Sequence, residues 1–193
     1  MNNIFKQIPF NICKKTLQSL NPKSMKKLIL SAFVLCTLVT NSNAQATATA
    51  TATATIVTPI SISKTADMNF GNIAVSASTA GTVILAPAGT RTTGGAGGVT
   101  LPATSGTVTA AAFTVNGNGN YTYAITLPSS VTLTRASGSE TMTASSFTST
   151  PSGTGTLSSG TQNLTVGATL AVSAAQVAGV YSSGNFNVTV NYN

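Results

Sequence analysis

The sequence predicts an all-β protein, an antiparallel β-sandwich preceded by an extended N-terminal strand. Three observations carry this expectation. Within Gln45–Val57, alanine and threonine alternate without interruption from Ala46 to Thr55, a period of two that only a strand turns into two distinct faces. Beyond residue 44 the chain is built from Thr, Ser, Ala, Gly and Val, with only five charged residues where an ordinary globular chain has about 25%. Short apolar-alternating runs recur there, separated by Gly, Asn, Pro and Ser at the roughly 8–12-residue spacing of a sandwich.

Residues 1–44 are expected to be a secretory signal peptide. Met25-Lys26-Lys27 is a positive n-region, and Leu28–Val39 is an apolar run shorter than the ~20 residues that span a bilayer. Ser42-Asn43-Ala44 supplies a small-x-small cleavage pattern, so Gln45 is the expected mature N-terminus. The lysine-bearing prefix 1–24 is either an extended n-region or the product of an upstream start codon, and Met25 is favoured as the true start. Taking 44 residues from 193 leaves 149, enough for one domain with its own core. On this reading the alternating strand 45–57 precedes one β-sandwich domain over 58–193. No membrane span is expected after leader cleavage.

Each element follows from its local pattern. In 45–57, Ala46, Ala48, Ala50, Ala52, Ala54 and Ile56 share one face, and threonines occupy the other as far as Thr55. Pro59 interrupts pairing and Ile60–Ser63 resumes it, with a turn over Lys64–Asp67. Met68–Val75 reads as a strand bent at Gly71, and Gly81–Ala86 as a buried strand ended by Pro87. Thr90–Gly98 reads as loop. Its glycines are not a phosphate cradle, since no helix follows to present its N-terminal amides. Thr107–Val115 and Tyr121–Leu127, joined by Asn116-Gly-Asn-Gly-Asn120, carry the strongest hairpin signal. Val131–Thr134 and Met142–Ser149 follow, then a loop over Thr150–Gly160 and two short strands, Asn163–Val166 and Ala168–Val172, around Gly167. The closing strand places Phe186, Val188, Val190 and Tyr192 on one face and Asn187, Thr189, Asn191 and Asn193 on the other.

The chemistry is defined mostly by what is missing. The sequence contains no histidine, and Cys13 and Cys36 both fall in the leader, which removes the usual general base, the thiol nucleophile and the common transition-metal ligands. Asp67 and Glu140 are the only carboxylates after residue 44, too few for a calcium site and each beside a predicted turn rather than in a paired acid–base arrangement. No enzyme, catalytic residue, cofactor or metal is expected. Six of the nine basic residues lie in 1–44, and Lys64, Arg91 and Arg135 against Asp67 and Glu140 leave a net charge of +1, so no nucleic-acid-binding patch is expected either. Tyr121 and Tyr123 share a parity and are read as a sugar-stacking pair or, by preference, as ordinary packing. The strands also lack the lysines and inward charges that protect sheet edges, and this favours assembly over a solitary monomer.

Several segments together resemble a known family. The alternating Ala/Thr run, Ile56-Val-Thr-Pro-Ile-Ser-Ile62, Met68-Asn-Phe-Gly-Asn-Ile73, Gly160–Leu170 and the close Ala178–Asn193 are similar in order to a secreted bacterial domain of unknown function, itself similar to spore coat protein U and archaic chaperone–usher pilin subunits. The resemblance covers 45–193 and implies an immunoglobulin-like, pilin-like sandwich lacking one strand. It implies that residues 46–56 are a strand donated to a neighbour, by addition to an exposed sheet edge. The face of Phe186, Val188, Val190 and Tyr192 would border the acceptor groove. The implied partners are further copies of the same chain, a periplasmic chaperone and an outer-membrane usher. The implied location is the cell surface, reached through the periplasm. One departure is that alanines replace the large apolar residues of pilin donor strands, and the paired cysteines of many pilins are absent.

The expected function is therefore a structural subunit of a surface fibre. The alternative is a monomeric secreted sandwich that binds a surface partner or glycan and uses 46–56 as its own first strand. A more remote reading is ice binding by the Thr47–Thr55 ladder.

Overall fold

A computed structural model describes residues 45–193, so the expected signal peptide lies outside the described residues. The chain divides after Thr53. Residues 45–53 form no strand and every one of them is exposed. The same holds for Ala54–Ile56, and the first ladder begins only at Ser61. The alternation over 45–57 thus has the pattern of a strand without a partner strand. A first strand made by the chain for itself, as the monomer alternative requires, is not found among the described residues.

Ala54–Asn193 is an all-β, antiparallel sandwich. Its larger sheet is centred on β11 (Thr161–Val172), flanked by β6 (Ala111–Asn116) and β9 (Thr141–Thr150). Outward from these lie β1 (Ser61–Ala66) on one side, and β8 (Ser130–Arg135) then β12 (Tyr181–Ser182) on the other. The second half of β11 pairs with β3 (Gly81–Leu85), which pairs in turn with β4 (Arg91–Gly94). The smaller sheet has the order β10 (Thr154–Thr156), β7 (Thr122–Thr126), β13 (Thr189–Tyr192). A two-residue pair, β2 (Ala74–Val75) with β5 (Val99–Thr100), completes the set.

β11 is the spine of two cores. Leu164 and Val166 belong to one, and Ala168, Leu170 and Val172 to the other. Gly167 sits between them, where a Cβ would collide with the Leu85 carbonyl of β3, so only glycine lets the strands meet there. The partner strand β9 takes up the mismatch with a bulge at Ser146, whose φ is +50°. That extra residue switches the inward parity from Met142 and Ala144 to Phe147 and Ser149.

Several elements differ from the sequence expectation. The two short strands around Gly167 are one continuous strand of 12 residues, because the bulge is carried by β9 and not by β11. The Asn/Gly run 116–120 does not close a hairpin. β6 and β7 lie in different sheets, and the run carries the chain from one to the other with Asn120 at φ +64°. β4 and β10 fall within stretches expected to be loops, Thr90–Gly98 and Thr150–Gly160, being short polar strands held by ladder bonds and not by an apolar pattern. Met68–Val75 is largely irregular, with an isolated bridge between Asn69 and Thr109 and a strand only at its end.

Candidate functional site

The smaller sheet covers only one end of the larger one. Over that end, Tyr123 and Val190 from the smaller sheet, with Leu157 just beyond it, pack on Val115, Leu164 and Val166, and all six are buried. Tyr123 has no exposure, and its hydroxyl donates to Gln162 Oε1 at 2.9 Å, an oxygen that also accepts from Thr156 N–H at 2.8 Å. Burial raises the pKa of this phenol. Its place in the core excludes it from a sugar-stacking pair. Tyr121 is instead 42% exposed and packs edge-on against Tyr192, ring centroids 5.6 Å apart.

Past Thr189 the smaller sheet stops and the larger one lies open. A cleft of about 1200 Å³ runs there between two banks, residues 64–75 on one side and 176–186 on the other. Its floor is made by half-buried side chains of the larger sheet, among them Phe113 of β6, Leu133 of β8, and Met142 and Phe147 of β9. Among the described residues, Lys64 and Asp67 are the only charged ones lining it, and they neutralise each other at 2.6 Å. The strand β1 runs through Ala66, so the turn expected over 64–67 is confined to its end.

Both banks are fastened from behind. Arg91 of β4 donates through Nη1 to the carbonyls of Phe70 (2.5 Å) and Asn72 (2.7 Å), and Asn72 N–H donates to Ser105 O at 2.7 Å. On the opposite bank Tyr181 Oη donates to Val177 O at 2.7 Å and accepts from Gln176 Nε2 at 2.9 Å, while Ala136 N–H reaches Val180 O. Ala175 N–H donates to Ser76 O and joins the banks at one end. Between Ser182 and Thr189 the picture changes. Among the described residues, no backbone group of 183–188 bonds to another backbone group, although such groups are nearly always paired when they leave water. Among the described residues the outer edge of β1 is likewise free, since β1 pairs there only with β6. The lips also carry exposed apolar side chains, Val177 at 44% and Val180 at 74%.

The expected groove-edge residues lie in two places. Phe186 lines the cleft and packs on Phe147, ring centroids 5.6 Å apart. Val188, Val190 and Tyr192 keep its parity and, with Phe186 itself, pack on the closed core, but unlike Phe186 they do not line the cleft. Ala46, Ala48, Ala50, Ala52, Ala54 and Ile56 are all exposed, Ile56 at 96%. The two carboxylates are each engaged by a neighbouring cation. Glu140 accepts from Arg135 Nε at 2.6 Å and Nη2 at 3.1 Å, bonds that lower the Glu140 pKa and raise that of Arg135. Among the described residues no cluster of three metal-ligating side chains occurs, and no helix is long and apolar enough to cross a membrane. The floor residues of β8 and β9 and the Arg91 fastening carry no separate signal in the sequence, because each reads simply as part of a strand or loop.

A family profile for a domain of unknown function, DUF4402, matches residues 60–192. The chain belongs to the DUF4402 family. No curated protein and no solved structure matches it. The DUF4402 match takes in both banks and the whole floor of the cleft, and it starts just after the alternating extension.

Proposed function

We propose that this DUF4402 chain is a structural subunit of a cell-surface fibre that polymerises by β-strand addition. Residues 45–57 of one copy enter the cleft of another. The observation that carries this reading is the open cleft itself, an apolar floor bordered by the free edge of β1 and by the unpaired backbone of 183–188. An entering strand would bond to both borders and cover the floor, which is how added strands gain affinity and specificity. The extension has matching chemistry. It is uncharged, alternates strictly, and is exposed without a ladder partner of its own.

The resemblance to spore coat protein U and archaic chaperone–usher subunits supports the same reading. It adds a secretory leader over 1–44, a periplasmic chaperone that holds the cleft during export, and an outer-membrane usher. Alanine methyls bury little surface, at ~0.8 kcal/mol per CH₂-sized group, so the backbone ladder and Ile56 supply most of the attachment. Deleting residues 46–56 is expected to abolish fibres in micrographs of sheared cell-surface material while export continues. Fibres that persist unchanged would rule out donation by this segment.

A further inference from the structure

The point where the extension leaves the sandwich is held by one phenolic hydroxyl. Tyr192 Oη donates to the Thr58 carbonyl at 2.8 Å and accepts from Asn118 N–H at 2.6 Å, which uses both capacities of the group. Space is kept for it by Gly117, where a Cβ would collide with this hydroxyl and with Leu157. Two neighbours reinforce the hold. Pro59 has a fixed φ and confines Thr58 to extended conformations, and Ile60 and Ile62 pack into the closed core. On the other side of Thr58, Ile56 is 96% exposed. Fixed chain therefore gives way to free chain within Val57.

We infer that Tyr192 is a positioning residue that clasps the root of the extension and sets the angle between successive copies, making each junction of the fibre stiff. The inference rests on the strand-addition reading above. With Ile56 seated in a neighbour's cleft and Thr58 clasped in its own domain, Val57 alone spans the junction, and one residue reaches at most ~3.6 Å. So short a tether leaves little room for the orientational averaging of a longer flexible linker. The half-buried ring of Tyr192 packs against the core, whereas the hydroxyl bonds to backbone groups of the exit point and of the turn beside it. Packing and clasping are thus separable.

The test uses the full chain with Tyr192→Phe, which keeps the ring and removes the clasp. Fibres of this variant should form in wild-type yield from subunits of near wild-type thermal stability. Their persistence length in electron micrographs should fall about twofold or more, as for a flexible tether in place of a fixed one. Inserting Gly-Gly after Val57 is the control that loosens the junction by another route. In monomers, amide heteronuclear NOEs at Val57 and Thr58 should drop in Tyr192→Phe. Variant fibres as straight as wild type, while the Gly-Gly fibres bend, would overturn the proposal, as would unchanged order at Val57 and Thr58. A wild-type chain that forms no fibres would instead refute strand addition, and the junction with it.

Discussion

The two ends of the sandwich are made from the same strand and finished differently. β11 supplies Leu164 and Val166 to one end and Ala168, Leu170 and Val172 to the other, all buried. At the first end a second sheet is present, its Tyr123 bonds to Gln162 of β11, and its Tyr192 bonds to the Thr58 and Asn118 backbone at the rim. At the second end the covering sheet is missing over the cleft, the floor is half-buried, and one bank has an unpaired backbone. A fold can therefore be complete in its central strand and incomplete at its margin. On the proposed strand-addition reading, that margin is where a partner strand would fit.

This contrast can be broken by mutation. Leu164 has no exposure, and Leu164→Ala should cost about 2–5 kcal/mol of stability in urea unfolding of the monomer, the cost of a cavity that the closed end cannot collapse. Leu133 is half-buried on the cleft floor, and Leu133→Ala should cost the monomer about 1–2 kcal/mol, since part of its surface already meets water. The order should narrow or reverse in assembled material, where an added strand buries Leu133. Equal costs in the monomer would mean that the cleft is not open in solution.

The smallest effect belongs to the Arg135–Glu140 pair at the β8–β9 turn, away from both cores. Its bonds hold the Glu140 pKa below the usual carboxylate range. The associated stabilisation is complete at pH values above that range and is lost as pH falls through the lowered value. Glu140→Gln should lower the melting temperature slightly at neutral pH and not at all in strong acid. Solvent around this pair keeps the difference small. A difference that grew on acidification would contradict the assignment.

Much of the strand pattern was legible in the sequence. The inward parity of Phe186, Val188, Val190 and Tyr192, the β8–β9 turn and the strand over 81–85 all follow from alternation and turn chemistry. The cleft itself carries no signal in the sequence, because open space between strands leaves no residue to read. Long-range choices were also hidden. Asn116–Asn120 has the composition of a hairpin turn, yet tertiary packing sends β7 to the other sheet, where Tyr123 finds Gln162. The bulge at Ser146 shifts the parity of β9 without any glycine or proline to announce it. β4 and β10 are polar strands recognisable only from the ladders they join.

The central claim is that the cleft of one copy receives residues 45–57 of another. Chains beginning at Gln45 contain no cysteine, so engineered thiols report on it without background. Single-cysteine chains changed at Ala46, Ala48, Ala50, Ala52 or Ala54 would each be mixed with a chain carrying Ser183→Cys on the unpaired bank, under mild oxidation. Strand addition predicts disulfide-linked heterodimers at one or two adjacent alanine positions and at none of the others, since a single register places only those opposite Ser183. Heterodimers at every position alike, or at none while fibres still form, would contradict it.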